Sequence, residues 1–195
     1  SSAEGGCPVN DEKDFAMVTT RGGDRGETSL YNGERRRKDD LLFEALGDLD
    51  ELSSFLGAAR AAGAAEVPGR LPDGLVEGFQ RNILRIGARI ATPPDDPLSA
   101  TLKPVTGADV EDLEGEEKRL LLRTRIEPVF VLPGGSAVSA AVDVARAVCR
   151  RAERRLVSLI RDRGRTELAD AQRYLNRLSD LLFVLARNLD GDGGR

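Results

Sequence analysis

The sequence predicts an all-α protein built as a five-helix bundle. Five segments repeat their apolar residues at alternating steps of three and four, which is the pattern of an amphipathic helix. Gly/Pro-rich links separate these segments, and strand signals are few. A chain of 195 residues with 40% hydrophobic and 32% charged residues and no Trp suits one soluble, aliphatic domain with a sizeable core.

The first helix is predicted over about residues 40–62 and the second over about 75–91, where the run 92–97 breaks it with three prolines. The third begins near Thr106, a plausible N-cap with Asp109 in the capping-box position. Its first half is acidic and its second half basic, which complements the helix dipole. The basic residues assigned to that half are Lys118, Arg119, Arg123 and Arg125.

A short apolar run, 129–132, ends in Pro133-Gly134-Gly135, and Ser136 is the expected N-cap of the fourth helix, which extends to about 162. The fifth helix is predicted over about 166–189, with leucines at a regular 3,4 spacing. Residues 1–18 are expected to be a flexible leader, 19–190 one helical domain and 191–195 a frayed tail.

Charge and composition exclude several classes of function. The net charge of −4 argues against general nucleic-acid binding, and no apolar run approaches the length of a membrane span. The chain has no His, which removes imidazole catalysis, catalytic triads, nearly all zinc sites and di-iron helical bundles. Its two cysteines, Cys7 in the leader and Cys149 in a helix, suggest a reducing compartment rather than a disulfide framework.

The fourth helix carries the most informative segment. On a helix Arg146, Arg150 and Glu153 share one stripe that borders the apolar face. Two guanidiniums at a core-facing edge predict a partly buried anion site. The alternative is an exposed arginine-rich helix whose charges pair along its own surface.

The segment 19–40 is too rich in glycine for a helix and could cradle a phosphate with its backbone amides. Thr20, Thr28 and Ser29 add hydroxyls, and Arg21 adds charge. The segment lacks the Gly-Lys-Ser/Thr ending of a P-loop, and a mobile loop is an equal alternative. Lys38 could reach a phosphate or be one solvated charge among several.

Polar residues on two further helices complete the candidates. The fifth helix groups Arg173, Asn176, Asp180 and Arg187 beside its leucine stripe, as a sugar or base contact or as a network that fixes helix register. Asp50 lies opposite the leucines of the first helix, as a solvated charge or as an arginine's partner at a subunit contact. These residues predict polyanion binding, with catalysis by positioning and electrostatics.

The chain resembles the PduO-type ATP:cob(I)alamin adenosyltransferases. The resemblance rests on residues 20–40, 43–52, 84–93, 130–155 and 174–180, and spans nearly all of 19–187. Its most specific part joins Arg150-Arg151-Ala152-Glu153-Arg154 to Tyr174-Leu175-Asn176-Arg177-Leu178-Ser179-Asp180.

This resemblance implies a ferritin-like five-helix bundle that forms a homotrimer with active sites at the subunit interfaces. It implies transfer of the 5′-deoxyadenosyl group of ATP to cob(I)alamin, which yields adenosylcobalamin and triphosphate, with magnesium bound mainly through the phosphates. A reductase and an adenosylcobalamin-dependent enzyme are the implied protein partners. The implied location is the cytoplasm, or the mitochondrial matrix in a eukaryote. An ATP- and corrinoid-binding delivery protein with little turnover is the alternative, and a purely structural bundle is a more remote one.

The resemblance also implies roles for individual residues. The implied ATP-binding residues are Thr20, Arg21, Gly22, Gly23, Asp24, Thr28, Ser29, Lys38, Arg150, Arg151, Glu153, Arg154 and Asn176. The implied corrinoid-side residues are Phe130, Asp50, Arg146 and Asp180, and Phe130, Arg146, Asp50 and Arg150 are the implied catalytic set. Arg146 would pair with Asp50 of the partner subunit, and Phe130 would fill the space beneath the corrin and displace its lower axial ligand.

This sequence departs from the family pattern at a few positions. Gly22 and Ser53 stand where the family commonly has Thr and Asn, and Val142-Asp143 stands where it usually has Leu-His. Asp143 lies on the same helix face as Arg146 and could compete with Asp50 for that arginine.

Overall fold

The structure is a computed structural model that describes residue 19 and residues 21–30, 32–72 and 74–190. The predicted leader and tail, and Thr20, lie outside the described residues. The chain divides into two compact units, residues 1–40 and 41–195. None of the described helices combines the length and apolar character of a membrane span.

The described part of the second unit contains the five α-helices that the sequence predicts. They are α1 (Leu41–Glu66), α2 (Leu75–Ala91), α3 (Gly107–Leu121), α4 (Ala137–Arg163) and α5 (Ala169–Asp190). Short 3₁₀ turns at Pro97–Thr101 and Thr166–Leu168 precede α3 and α5. Helix α4 packs against both α1 and α5, while α2 packs on α1 and α3 packs on α5. Helix α4 therefore lies in the middle of the bundle.

The core consists mainly of leucines on the inner faces of these helices. Leu52, Leu156 and Leu182 are fully buried, which confirms the apolar stripes read from the sequence. Tyr174 is also fully buried, and its hydroxyl accepts a hydrogen bond from Asn82 Nδ2 at 3.1 Å.

Capping residues set the helix boundaries where the sequence predicts them. The Thr106 amide donates to Asp109 Oδ2 at 2.8 Å at the start of α3, and Ser136 caps α4 in a box with Ser139. Gly164 ends α4 in the left-handed region at φ 65°.

Two predicted helix ends are wrong. Helix α1 continues through Gly63 to Glu66, and Gly63 is buried where a Cβ would lie 3.1 Å from the Leu71 side chain. Alanines on both sides of this glycine favour helix and offset its cost. Helix α3 ends at Leu121, so Arg123 and Arg125 lie beyond the helix whose dipole they were expected to complement.

The first unit contains a hairpin that the sequence analysis did not predict. Strands β1 (Glu27–Ser29) and β2 (Arg35–Arg37) pair antiparallel, with Thr28 opposite Arg36. The turn contains Asn32-Gly33, with Gly33 at φ 85°, which is the short-range signal that could have revealed it.

Candidate anion-binding site

The basic run 150–155 of α4 contains arginines that are paired with carboxylates of α1 and arginines that form no ion pair with a described residue. Arg151 Nε lies 2.9 Å from Asp48 Oδ1, and its Nη2 contacts Glu51. Arg155 Nη2 lies 2.9 Å from Glu44. These pairs join α4 to α1, and the hydrogen bonds that Arg151 donates to Asp48 and Glu51 raise the pKa of its guanidinium.

Arg150 and Arg154 form no ion pair with any residue that the structure describes. Both are exposed, and one Arg154 Nη donates at 3.0 Å to the backbone carbonyl of Arg150. Two guanidiniums one turn apart without carboxylates, in a run where Arg151 and Arg155 have them, can attract an external anion.

Asn176 of α5 faces this stripe from the neighbouring helix. Its Nδ2 donates to Glu153 Oε1 at 3.1 Å, and its Oδ1 accepts from Arg177 at 2.7 Å. Arg177 also lies 3.7 Å from the exposed Asp180. The structure therefore brings Glu153 and Asn176 together, as the sequence analysis required, and holds Asn176 in a fixed orientation.

A groove of about 560 Å³ opens between α1 and α4, within the size range of small-molecule sites. Phe55, Ala147 and Val148 give it apolar surface. Its charged lining residues are Glu51, Asp143, Arg146, Arg151 and Arg154. The groove can accept a ligand with both a flat apolar part and an anionic part.

Arg146 and Asp50, the residues expected to meet across a subunit contact, are not paired with each other in the single chain. Arg146 lies 3.6 Å from Asp143, its neighbour one turn earlier on α4. Asp50 is exposed and joins no ion pair with a described residue. The shared face of Arg146 and Asp143 is thus confirmed, while the competition between Asp143 and Asp50 stays a prediction.

Phe130 lies in the segment between α3 and α4 and is fully exposed. Leu132 is 90% exposed and Val129 65%, so the segment presents a continuous apolar surface. Such a surface on an otherwise charged protein indicates a contact with another chain or with an apolar ligand.

The first unit holds the other predicted phosphate-binding residues. A Cβ added to Gly23 would lie 2.7 Å from Lys38 Nζ, so the glycine turn and the lysine are adjacent. Arg21 takes a positive φ of 54°, which is unusual for a residue with a side chain. Asp24 and Ser29 are exposed nearby in sequence, and Thr28 is half-buried on β1.

The charges of this unit are unevenly paired. Arg35 pairs with Glu27 at 3.3 Å and also donates to the carbonyl of Gly22 at 3.1 Å. Arg37 pairs with Asp39, whereas Lys38 forms no ion pair with a described residue. Lys38, which follows β2, is therefore available to bind an external phosphate.

Cys149 does not belong to the chemistry of the site. Its thiol is buried and donates to the Leu175 carbonyl with an Sγ–O distance of 3.2 Å. Burial raises the pKa of the Cys149 thiol far above its usual range, so it stays protonated and unreactive. The described residues contain no group of His, Cys, Asp and Glu arranged to hold a metal ion.

A helical bundle with a groove lined by arginines and apolar residues defines the class of protein as one that binds an anionic organic ligand. Comparison with known families matches residues 18–189 to "Cobalamin adenosyltransferase". The chain belongs to this family, as the resemblance in its sequence indicates.

Individual relatives agree with this assignment. The corrinoid adenosyltransferase MMAB of Homo sapiens is 40% identical over 172 residues, which cover 87% of this chain and 67% of that protein. The cobalamin adenosyltransferase of Cupriavidus metallidurans is 39% identical over 182 residues, which cover 92% of this chain and 91% of that protein. A variant of the PduO-type ATP:corrinoid adenosyltransferase from Lactobacillus reuteri, complexed with cobalamin and ATP, matches with a TM-score of 0.77 at 28% identity over 89% of this chain and 90% of that chain.

Proposed function

We propose that the protein transfers the 5′-deoxyadenosyl group of ATP to cob(I)alamin. The Co(I) of the corrinoid substrate attacks C5′ of ATP, a cobalt–carbon bond forms, and the C5′–oxygen bond breaks to release triphosphate. The observation that supports this reaction best is the pair Arg150 and Arg154, which have no carboxylate partner among the described residues. Unpaired guanidiniums suit a triphosphate that must be held and then stabilised as a leaving group.

The nucleotide would lie along the α4 arginines, with Asn176 and Glu153 on the adenosine side. Because Asn176 is already fixed by Glu153 and Arg177, it would meet the ligand without reorganisation. Thr20 to Gly23, Thr28 and Lys38 would hold the triphosphate. Magnesium would arrive with ATP and be bound through its phosphates, since the described chain offers no metal-binding cluster.

The corrinoid would contact Phe130, Arg146, Asp50 and Asp180. We infer that the chain forms a homotrimer in which Arg146 pairs with Asp50 of the partner subunit. This arrangement would give Asp50 the cation that no described residue supplies, and would cover the exposed segment around Phe130. A reductase would supply Co(I), and an adenosylcobalamin-dependent enzyme would use the product, in the cytoplasm or a mitochondrial matrix.

The direct test is an anaerobic absorbance assay with purified protein, MgATP and chemically reduced cob(I)alamin. We expect the Co(I) band to disappear and the adenosylcobalamin spectrum to appear when ATP is present. A reaction mixture without protein is the control. Tight ATP binding without conversion would contradict the enzymatic proposal and favour a delivery protein.

A further inference from the structure

A buried ion cluster joins the start of α4 to the end of α5. Arg187 Nη2 lies 2.5 Å from Asp143 Oδ2, and Arg187 Nε lies 3.0 Å from Asp190 Oδ2. The side chains of Asp143, Arg187 and Asp190 are 4%, 9% and 7% exposed. Arg146 reaches the same Asp143 at 3.6 Å, so two arginines and two aspartates share the cluster.

Two atoms of this cluster are buried without a hydrogen bond. They are Arg146 Nε and Asp190 Oδ1. A buried polar atom without a partner is costly, and such atoms persist where the surrounding structure imposes them. The presence of both atoms in one cluster indicates that the cluster positions neighbouring groups in addition to stabilising the fold.

Asp143 contacts Arg146 at the Nε atom of the guanidinium. The separation of 3.6 Å between Arg146 Nε and Asp143 Oδ1 is a charge contact, too long for a hydrogen bond. Because the contact uses the Nε edge, the two terminal nitrogens of Arg146 remain for a second carboxylate. Asp143 therefore orients Arg146 rather than occupying it.

Asp190 lies against the segment that precedes α4. Its carboxylate is so close to Gly135 that a Cβ at this position would overlap Oδ1. Arg187 stacks over the Phe183 ring at 5.5 Å and lines a small cavity of about 120 Å³ together with Val129 and Val131. The residues on both sides of Phe130 thus line the same cavity as Arg187 and Asp190 at the end of α5.

We propose that Asp143, Arg187 and Asp190 are positioning residues for the corrinoid side of the site. They fix the orientation of Arg146 and the place of the segment that carries Phe130, without touching the reacting atoms. This inference rests on the proposed adenosyl transfer. It assigns a positioning role to Asp143, where the sequence departs from the family pattern.

The first test measures Asp143→Asn. Asparagine keeps the size of the side chain, and Arg187 retains its ion pair with Asp190, so we expect the bundle to remain folded. We expect the KM for cob(I)alamin to rise roughly tenfold, because Arg146 loses its charge contact with the buried Asp143 carboxylate. The Kd for MgATP, measured by calorimetry, stays at the wild-type value.

Glu167→Gln is the matched control. It removes a carboxylate from another buried arginine, Arg165, at the other end of α4 and α5. If Asp143→Asn raises the corrinoid KM no more than Glu167→Gln does at a similar melting temperature, the role is structural and the proposal is overturned.

A second readout does not need activity. The chain has no Trp, so Leu132→Trp places a unique fluorophore beside Phe130 in the exposed segment. Adding Asp190→Asn, or Asp143→Asn, to this background should lower the Trp anisotropy, whereas adding Glu167→Gln should not. Unchanged anisotropy overturns the proposal. Absence of turnover in the wild type, together with this anisotropy loss in the Leu132→Trp background, would refute the proposed function alone.

Discussion

At the scale of single residues, the presence of a carboxylate partner distinguishes an arginine that joins two helices from an arginine that is proposed to bind a ligand. Arg151 and Arg155 lie in the same basic run as Arg150 and Arg154, yet only the first two reach carboxylates of α1. The sequence predicts the basic stripe from its helical spacing. It does not predict which arginines are tied, because Asp48 is about a hundred positions earlier and pairs only through the packing of α1 on α4.

Arg150→Ala should weaken MgATP binding by at least tenfold, because it removes an unpaired guanidinium that would face phosphate. Calorimetry with MgATP measures the effect. Arg161→Ala is the control, since Arg161 is an exposed arginine of the same helix that is paired with Asp162. Equal ATP affinities for the wild type and Arg150→Ala would contradict the assignment.

Phe130→Ala should leave the Kd for MgATP unchanged and slow adenosylation when the assay starts from Co(II) corrinoid and a reductant. The reason is that an exposed aromatic ring available to displace the lower axial ligand would be absent. Leu122→Ala, which truncates another highly exposed apolar side chain, is the control. A Co(II)-dependent rate equal to that of wild type would remove the proposed role of Phe130.

At the scale of elements, local chemistry explains why most helices were predictable. Thr106 and Ser136 with their capping partners fix where α3 and α4 begin, and these signals lie within four residues of sequence. The end of α1 was not predictable in this way, because a glycine is a common signal for a helix end, and the burial of Gly63 beside Leu71 is visible only in the folded structure. The β1–β2 hairpin was missed because the glycine content of its segment outweighed its Asn32-Gly33 turn signal.

Asp109 makes the stability of the α3 N-terminus dependent on pH. Burial alone would raise the pKa of Asp109, but hydrogen bonds from Arg85 and the Thr106 amide outweigh it and hold the pKa below the usual 3.8. A lowered pKa contributes stability above the usual value, and this contribution disappears as the pH falls through the lowered pKa.

The stability difference between wild type and Asp109→Asn should therefore be largest near neutral pH and shrink as the pH falls below the usual pKa of 3.8. Urea unfolding at a series of pH values measures it. A difference that is independent of pH would show that the charge of Asp109 contributes nothing.

Gly135→Ala should destabilise the protein by about 1–3 kcal/mol, because the new methyl group would overlap the Asp190 carboxylate. Thermal unfolding measures the loss, and Gly115→Ala on α3, where a Cβ meets open space, is the control. The double change Gly135→Ala with Asp190→Ala should recover part of the loss. A fully stable single variant would refute the close approach.

At the scale of the whole molecule, the residues that the second unit contributes to the proposed site lie on several of its elements. The α4 stripe and Asn176 meet within the helical unit, as the sequence analysis expected. Asp50 and Phe130 are instead exposed; the proposed partner of Asp50 belongs to another copy of the chain, and the proposed partner of Phe130 is the corrinoid. A sequence of one chain can suggest such a contact through an exposed charge or aromatic residue, but it does not contain the geometry of the interface.

Asp50→Asn should raise the KM for cob(I)alamin more than the Kd for MgATP, because the proposed pair with Arg146 of the partner subunit would lose its charge. Steady-state kinetics and calorimetry separate the two effects. Asp95→Asn, at an exposed position in the loop after α2, is the control. A wild-type protein that is monomeric by light scattering at assay concentration would contradict the interface.

The most direct test of the central claim is the stoichiometry of the reaction products. Adenosyl transfer from ATP predicts one inorganic triphosphate released intact for each adenosylcobalamin formed, measured together in one anaerobic reaction. Release of phosphate or diphosphate as the immediate product, or triphosphate release without a cobalt–carbon bond, would contradict the proposal that Arg150 and Arg154 bind the triphosphate of ATP during adenosyl transfer.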